Sequence, residues 1–407
     1  KARYEPPRRC LQEAESCPDR MSPALPFGPD YGFGLYIHWP YCSRICPYCD
    51  FNVYAAKDRD SAPLVNAILA DLARHKHALG AHPKLQSVYF GGGTPSLLSS
   101  EDIGRLISAA DSAFGLDSDV EITLEANPND VLKSDVEGWA AAGVNRLSIG
   151  LQSLNDDALR FLGRDHDAAS ARRAIELAAR QFPNHSIDLI YARPGQAEDA
   201  WAAELSDALA LGAPHLSLYE LTIEERTAFG KRAARGELVP MPDDDQADLY
   251  ELTQEICEGH GLPAYEVSNH ARALDNQSKH NLIYWRGGDW IGLGPGAHGR
   301  LTFDSGRIAT LAPLRPDDYS AAVARTAGLT GDMLSPIDSA RELLALGLRP
   351  SEGLNPQRIE ALVGAPLDND ALGNLIETGF VHRLGERIAL TANGRLLADR
   401  IAAELSP

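Results

Sequence analysis

The sequence predicts an α/β protein with a parallel (β/α) barrel, full or partial and TIM-like, and a smaller C-terminal helical domain that resembles a winged helix. Short β-rich runs alternate with helical patterns at intervals of about 30 residues, which is typical of parallel βαβ units. Polar or glycine residues follow almost every predicted strand, as expected for a barrel whose reactive groups gather at the carboxyl ends of its strands. After about residue 315 the alternation stops, which indicates a second domain.

The elements of the barrel follow from the positions of these runs. The predicted strands span residues 34–38, 87–90, 120–125, 146–150, 186–191, 215–221 and 264–268. The predicted helices between them span residues 62–79, 100–114, 168–181, 197–211 and 243–260. Because the crossovers are long enough to hold helices, neighbouring strands are expected to pair in parallel. A series of such units predicts a full or partial barrel.

The C-terminal part has a different pattern. Helices are predicted at residues 336–348, 355–363 and 369–378, followed by a pair of short strands at residues 381–390. DNA binding is not expected, because residues 351–407 contain five Arg and Lys residues against eight Asp and Glu residues. We expect three parts in the chain, which are a disordered or extraneous N-terminal arm at residues 1–30, the barrel domain at residues 31–313 and the C-terminal domain at residues 314–407.

The overall composition limits the classes of function. The chain has 407 residues and a formal net charge of -19, which argues against non-specific binding to nucleic acid or to an anionic membrane. No apolar run approaches the length that spans a bilayer, and the N-terminal segment is polar and charged, unlike a signal peptide. We therefore expect a cytoplasmic protein with no nucleic-acid partner and no integral membrane segment.

Three cysteines, Cys42, Cys46 and Cys49, lie close together directly after the first predicted strand. Iron–sulfur clusters usually have four cysteine ligands, so a cluster held by three leaves one iron open to an outside ligand. An open metal position is a place for chemistry. Two alternatives are a structural zinc site, with His38 or a distant cysteine as fourth ligand, and a disulfide. Zinc ribbons usually have two separated cysteine pairs, and a disulfide leaves one of the three cysteines over.

Polar and glycine residues at the other strand ends form a joint pattern. In chain order these residues are Gly91, Gly92, Gly93, Thr94, Glu125, Gln152, Asp188 and Glu220. The bare backbone of the glycine run permits the close approach of a ligand and offers amide hydrogen bonds. A single glycine run or acidic residue has a mundane explanation as a turn or a solvated group. Together, at successive strand ends, these residues predict a ligand site at one end of the barrel.

Five stretches of sequence carry a resemblance to a known family. They are LYIHWPYC at 35–42, YFGGGTPS at 89–96, EITLEANP at 121–128, NRLSIGLQS at 145–153 and HNLIYW at 280–285. With the cysteine spacing of three residues and then two, they resemble the radical S-adenosylmethionine (SAM) superfamily. Within it they are most similar to the oxygen-independent coproporphyrinogen III oxidase-like family and its HemW-type haem chaperones. The resemblance covers residues 33–405.

The resemblance implies two cofactors and their sites. A [4Fe-4S] cluster would be held by Cys42, Cys46 and Cys49, and the methionyl amine and carboxylate of SAM would chelate its open iron. The implied SAM-binding residues are Tyr36 and Tyr48 beside the cluster, Gly92, Gly93 and Thr94 at the methionyl end, Glu125, Gln152 and Asp188 toward the ribose and methionyl groups, and Arg164 at the carboxylate. These residue types suit SAM. A ribose diol forms hydrogen bonds with acceptors and amides, and a carboxylate pairs with a guanidinium.

The family divides between an enzyme and a haem-handling protein, and three features favour the second. The oxidases have another cysteine just after the cluster motif, where this chain has Phe51, and an ordered N-terminal arm that residues 1–29 do not obviously supply. The stretch 280–285 also resembles the chaperones' histidine motif, for which haem binding is proposed. Imidazole is a common axial iron ligand, so His280 is the expected haem ligand. Its alternatives are a structural, hydrogen-bonded His280 and the use of His298 as the ligand.

The sequence therefore predicts a radical SAM haem chaperone that binds a [4Fe-4S] cluster, SAM and haem and delivers haem to acceptor proteins, with an electron donor as a further partner. The alternative is an enzyme, oxygen-independent coproporphyrinogen III dehydrogenase, which converts propionates to vinyls by oxidative decarboxylation in porphyrin biosynthesis. Ala192 and Arg193 replace the family's usual Gly-Leu before Pro194. Arg193 is expected either to attract a propionate at the barrel mouth or to be solvated.

Overall fold

The structure is a computed structural model that describes residues 26–56, 60–326 and 328–407. The strands are β1 (Phe33–Trp39), β2 (Tyr41–Cys42), β3 (Tyr54–Ala55), β4 (Leu85–Gly92), β5 (Leu116–Ala126), β6 (Arg146–Gln152), β7 (His185–Tyr191), β8 (His215–Glu220), β9 (Asn269–Ala271), β10 (Asp289–Leu293), β11 (His298–Phe303), β12 (Gly306–Leu311), β13 (Asp332–Met333), β14 (Val381–Leu384) and β15 (Arg387–Leu390). The helices are α1 (Ala62–Leu79), α2 (Ser100–Phe114), α3 (Pro128–Lys133), α4 (Val136–Ala141), α5 (Asp156–Phe161), α6 (Ala168–Gln181), α7 (Glu198–Leu209), α8 (Ala228–Ala234), α9 (Asp243–Gly259), α10 (Lys279–Trp285), α11 (Pro316–Arg325), α12 (Pro336–Gly347), α13 (Gln357–Val363), α14 (Asn369–Glu377), α15 (Ala392–Arg395) and α16 (Ala398–Glu404).

The main sheet has eleven strands in the order β13-β12-β11-β10-β1-β4-β5-β6-β7-β8-β9. Strands β1, β4, β5, β6, β7 and β8 form a series in which each strand pairs in parallel with the next, as the βαβ pattern predicts. Strands β9 and β13 are the two edges of the sheet. The barrel is therefore partial, and the predicted α/β fold class is confirmed.

Buried apolar residues alternate along β1 with residues that line a cavity. Phe33, Leu35 and Ile37 are fully buried in the main hydrophobic core. Tyr36 and His38, which alternate with them, line a cavity on the opposite side of the strand. Side chains of a strand alternate between its two faces, so one face of β1 holds the helices and the other is available for ligands.

The seventh predicted strand, at residues 264–268, is wrong. Residues 265–268 are a bend, Ala264 makes only an isolated antiparallel bridge to His270, and the strand that follows, β9, pairs antiparallel with β8. The cause is Glu266, whose carboxylate is buried and accepts hydrogen bonds from the Ser268 amide at 2.7 Å and from Asn269 Nδ2 at 2.5 Å. A side chain that folds back on its own backbone in this way holds a turn rather than an extended strand.

The sequence patterns also missed the strands that extend the sheet beyond β1. Strand β10 pairs in parallel with β1, and β11 and β12 form an antiparallel hairpin beside it. These strands follow α10, a short helix that the sequence patterns also missed. They form the second wall of the region around the cysteine loop.

The C-terminal helices and the hairpin of β14 and β15 match the predicted elements and have a hydrophobic core of their own. The predicted boundary at residue 314 stays a prediction, and two contacts favour a later one. Tyr319 of α11 is buried in the barrel core and donates a hydrogen bond to Asp71 at 2.8 Å, and β13 pairs with β12. We therefore propose a domain boundary near residue 334.

The expected N-terminal arm falls largely outside the described residues, which begin at residue 26. Phe27 is buried, and the carbonyl of Pro26 accepts a hydrogen bond from Arg358 at 2.8 Å. This end of the described chain thus contacts the C-terminal domain. None of the helices in the described ranges is both long enough and apolar enough to cross a membrane.

Candidate functional site

A cavity of about 490 Å³ opens at the carboxyl ends of the parallel strands. Eleven of the thirteen predicted site residues line it, which are Cys42, Cys46, Tyr48, Cys49, Gly92, Gly93, Thr94, Glu125, Gln152, Arg164 and Asp188. Glu220, at the end of β8, lines it as well. The topology therefore brings together residues that are far apart in sequence, as the strand-end pattern predicts.

The glycine run supports the loop that carries the cysteines. The Gly93 amide donates to the Trp39 carbonyl at 2.7 Å, and the Thr94 amide donates to the Tyr41 carbonyl at 2.9 Å. A Cβ atom at Gly93 would lie 2.8 Å from the Tyr41 oxygen and 3.0 Å from Cys42 Sγ. The expectation that these amides bind a ligand is thus corrected, because the protein uses them itself. What the glycines permit is the close approach of the cysteine loop.

The three thiols fit a cluster better than they fit a single metal ion. They are free cysteines on one wall of the cavity. Across the described ranges, no three His, Cys, Asp or Glu side chains converge on a point that could hold one metal ion. The ligands of a [4Fe-4S] cluster need not converge on one point, because each cysteine binds a different iron atom of the cube.

The zinc alternative has no support at its proposed fourth ligand, His38. Its Nδ1 faces the Tyr36 hydroxyl at 3.0 Å, and its Nε2 faces the Asn52 carbonyl at 2.9 Å. Both ring nitrogens are therefore engaged by the protein. Burial raises the pKa of Cys42 and raises the pKa of Cys49 to about 11, so both thiols must lose a proton when they bind a metal.

Arg164 lies just after α5 and connects the cysteine loop to the strand ends. Its Nη2 donates to Asn127 Oδ1 at 2.5 Å and to the Gly150 carbonyl at 2.9 Å, and its Nη1 lies 3.4 Å from Cys46 Sγ. Its Nε has no hydrogen-bond partner in the part of the chain that the structure describes. The guanidinium is thus held in place and retains an unused donor, which fits the binding of a carboxylate.

Two carboxylates, Glu125 and Asp188, face the cavity from neighbouring parts of the barrel. Glu125 accepts hydrogen bonds from the Tyr89 hydroxyl at 2.9 Å and from the Gly92 amide at 3.1 Å. Burial raises its pKa to about 7. Asp188 accepts hydrogen bonds from serine hydroxyls of β6 and β7, and burial raises its pKa as well. The site therefore contains acceptors that are held in position and poorly solvated.

We expect the Glu125→Gln substitution to change how stability depends on pH. In the unfolded chain this carboxyl releases its proton near its usual pKa of 4.5, whereas in the folded protein it does so near 7. The wild-type free energy of unfolding should therefore fall as pH rises from 5 to 8, by up to about 3 kcal/mol from this group. The glutamine variant should not show that decrease.

Urea unfolding of the ligand-free protein at pH 5 and pH 8 measures this difference. Glu137→Gln, which changes an exposed glutamate on α4, is the matched control and should follow the wild type. If Glu125→Gln and wild type lose the same stability between the two pH values, Glu125 is not a desolvated carboxylate.

Gln152 reaches the cavity from a strained backbone position. Its φ is +69°, in the left-handed region that non-glycine residues rarely adopt, and the register of β6 against β7 shifts at this point. Strain of this kind persists where the surrounding fold requires it, often at binding sites. Ala192 also has a left-handed φ of +54°, at the position where the resembled family has glycine.

Arg193, the other departure from the family pattern, has neither of its expected roles. It is buried and pairs with Glu204, with Nη2 at 2.6 Å from Oε2, and its Nη1 donates to the Ile190 carbonyl at 2.7 Å. A buried guanidinium needs such partners. It is therefore neither solvated nor exposed at the mouth of the barrel.

Tyr36 and His280, the two remaining predicted residues, do not line the first cavity. Tyr36 lines a second cavity of about 700 Å³, which shares Cys49, Asp50, Phe51, Gly92 and Glu125 with the first. His280, on α10, lines neither of the two.

The His280 ring is buried and fully hydrogen-bonded. Its Nδ1 lies 2.7 Å from Ser87 Oγ, its Nε2 lies 2.6 Å from the Tyr284 hydroxyl, and its ring stacks on Tyr89. Burial lowers its pKa to about 3. In this structure neither nitrogen of His280 is free to bind a haem iron, and its assignment as the haem ligand stays a prediction.

The sequence patterns missed several polar residues that line the first cavity. They are Asn127, Arg146, Ser148, His215 and Ser217. The sequence contains a pattern that could have identified those on β6 and β8, because the polar residues of these strands recur at every second position. That period places them on one face of each strand, toward the barrel interior.

The open (β/α) barrel, with three cysteines in the loop after its first strand, defines the class as a radical SAM fold. A sequence profile described as the Radical SAM superfamily matches residues 36–208, and one described as the HemN C-terminal domain matches residues 334–397. In a solved structure, the coproporphyrinogen III oxidase HemN of Escherichia coli is similar with a TM-score of 0.76 and 22% identity, covering 94% of this chain and 91% of that one. At that identity the similarity shows the fold alone.

Relatives with higher identity cover nearly the whole described fold. The heme chaperone HemW of Haemophilus influenzae is 36% identical over 90% of this chain and 96% of its own length. The mitochondrial radical S-adenosyl methionine domain-containing protein 1 of Bos taurus is 38% identical over 86% of this chain and 80% of its own length. The chain therefore belongs to the family of these HemW-type proteins within the radical SAM superfamily. This membership implies a [4Fe-4S] cluster and SAM as its cofactors.

Proposed function

We propose that the protein is a haem chaperone that binds a [4Fe-4S] cluster, SAM and haem and delivers haem to acceptor proteins in the cytoplasm. The observation that carries this proposal is the similarity to relatives named heme chaperone HemW, at 36% identity in Haemophilus influenzae and 33% in Bacillus subtilis, each over 90% of this chain. The oxidase HemN is similar only at 22% identity. A reduced compartment suits a protein with free, cluster-binding thiols.

Cys42, Cys46 and Cys49 are the proposed cluster ligands. Their loop is held by the backbone hydrogen bonds from Gly93 and Thr94, so the thiols have a rigid support. When bound, the cluster supplies an electron and an open iron position for the amine and carboxylate of SAM.

Arg164 is the proposed partner of the SAM carboxylate. Its guanidinium lies beside Cys46 and is oriented by Asn127 and Gly150, so a carboxylate near the cluster would meet a donor that is already in place. This arrangement reduces the entropy that binding must otherwise overcome. Tyr48 lines the same wall and packs against Phe229, which limits the access of water.

The remaining strand-end residues are the proposed contacts of the rest of SAM. Glu125, Gln152 and Asp188 present oxygen and amide groups to the cavity, as a ribose and a methionyl amine require. Gly92, Gly93 and Thr94 line the methionyl end, where a side chain at Gly93 would collide with the cysteine loop. Tyr36 lines the second cavity, which adjoins the first.

Protein with an anaerobically reconstituted cluster is expected to bind haem and to transfer it to an apo-haem protein. With SAM, a reductant and coproporphyrinogen III, it is expected to form no protoporphyrinogen. Haem binding is measured from the Soret absorbance, and the porphyrins are measured by chromatography after oxidation. An authentic coproporphyrinogen III oxidase, assayed in parallel, shows that the conditions support that reaction. Formation of protoporphyrinogen by this protein would favour the enzyme instead.

A further inference from the structure

The second cavity lies beside the cysteine loop and has properties that SAM binding does not require. Its volume of about 700 Å³ is in the range of small-molecule sites. It shares Cys49, Asp50, Phe51, Gly92 and Glu125 with the first cavity, so its occupant would lie next to the proposed cluster. Strands β10 and β11 contribute Trp290 and His298 to its wall.

Two large apolar side chains are exposed on this cavity. Phe51 is 65% exposed and Leu314 is 56% exposed, although both line the same opening. Asn52 connects their segments, because its Nδ2 donates to the carbonyls of Pro295 and Leu314, each at 2.8 Å. An exposed apolar wall that is built on a fixed loop indicates a binding surface for an apolar ligand.

His298 presents an imidazole to the same cavity. Its backbone is held, since its carbonyl accepts a hydrogen bond from Trp290 Nε1 at 3.0 Å. Its ring is exposed and makes no hydrogen bond with any residue that the structure describes. His38, the other histidine on this wall, has both ring nitrogens engaged. His298 is therefore the histidine here with a nitrogen available to a metal.

Charged side chains also line the second cavity. Arg226, an exposed residue after β8, lines it, and so do the carboxylates of Asp50 and Glu125. Carboxylate groups of a ligand would be attracted to the guanidinium and repelled by the aspartate. A flat apolar molecule with peripheral carboxylates and a central metal fits all these groups, and haem is such a molecule.

Taking the haem-binding function proposed above as given, we propose that the second cavity is the haem site and that His298 is an axial ligand of the haem iron. The porphyrin edge lies against Phe51 and Leu314, and a propionate pairs with Arg226. The iron therefore binds an exposed histidine beside the proposed cluster rather than the buried His280.

Anaerobic haem titration of the full chain tests this assignment. The His298→Ala variant should bind haem about tenfold more weakly or worse and should lose the spectrum of an imidazole-ligated iron. Added imidazole should restore that spectrum. Arg226→Ala should weaken binding without changing the iron spectrum. His382→Ala, which changes an exposed histidine on β14, is the matched control and should behave as wild type.

The possible outcomes separate this assignment from the proposed function. Wild-type protein that fails to bind haem overturns both. Wild-type binding that His298→Ala leaves unchanged in affinity and spectrum overturns the assignment alone. A spectral change in His280→Ala, with none in His298→Ala, would identify His280 as the ligand. The cluster content and the urea midpoint of His298→Ala should equal those of wild type, because its exposed ring has no hydrogen bond to lose in the described structure.

Discussion

The Cys46→Ser substitution is expected to abolish the iron–sulfur cluster. The three thiols share one loop, and the described structure has no other cysteine on the cavity wall that could replace one of them. After anaerobic reconstitution, wild-type protein should contain about four iron and four sulfide atoms per chain, whereas the variant should contain almost none. Iron and sulfide assays measure this, and the visible absorbance of the cluster should disappear with them.

Cys257→Ala is the matched control for this experiment. Cys257 is a fully buried thiol on α9, outside the cavity, so its loss should leave the iron content unchanged although it removes some packing. Wild-type protein that contains zinc, or that contains no sulfide, would remove the basis of the proposed site. Wild-type iron content in the cysteine variant would show that another residue completes the ligand set.

The Arg164→Ala substitution is expected to weaken SAM binding by about a hundredfold, or about 3 kcal/mol, since each lost hydrogen bond to a charged group contributes about 1.5–3 kcal/mol. The variant removes the proposed contact to the carboxylate and leaves Asn127 and Gly150 without their donor. Arg164→Lys should lose less affinity, because an ammonium keeps the charge but not the paired donors. Equilibrium binding of SAM to the reconstituted protein measures these differences.

Arg160→Ala is the control for this comparison. Arg160 lies on α5, close in sequence, but its side chain is 70% exposed and faces Asp157 at the surface. Its loss should leave SAM affinity at the wild-type value and should change stability little. Equal SAM affinities in wild type and Arg164→Ala would show that another group binds the carboxylate.

Two of the helices whose bounds the sequence predicts to the residue, α2 and α6, have side-chain caps at their N-termini. At α2 the Ser99 side chain accepts a hydrogen bond from the Asp102 amide, and Gly115 follows the last residue. At α6 the Asp167 side chain caps the Ser170 amide. Such caps need only neighbouring residues, so the sequence contains the whole signal. The failed strand at residues 264–268 depends instead on the burial of Glu266, which no local pattern shows.

Most of the candidate site was predictable for a related reason. Parallel strands bring their carboxyl ends to one edge, so residues that follow successive strands meet even when they lie far apart in the chain. Glu125, Gln152 and Asp188 follow this rule. Tyr36 has the same facing as Tyr89, its neighbour on β4, but it lines the adjoining second cavity together with Trp290 of β10, the strand on the other side of β1.

The cysteine loop, the parallel βα order and the family could be predicted without the structure, because short motifs or local periodicity indicate each of them. Which histidine has a free ring nitrogen could be seen only in the folded chain. His280 is engaged by Ser87, from a strand nearly two hundred residues earlier, whereas His298 stands exposed on the wall of the second cavity. The availability of a side chain depends on partners that only the folded chain brings within hydrogen-bonding distance.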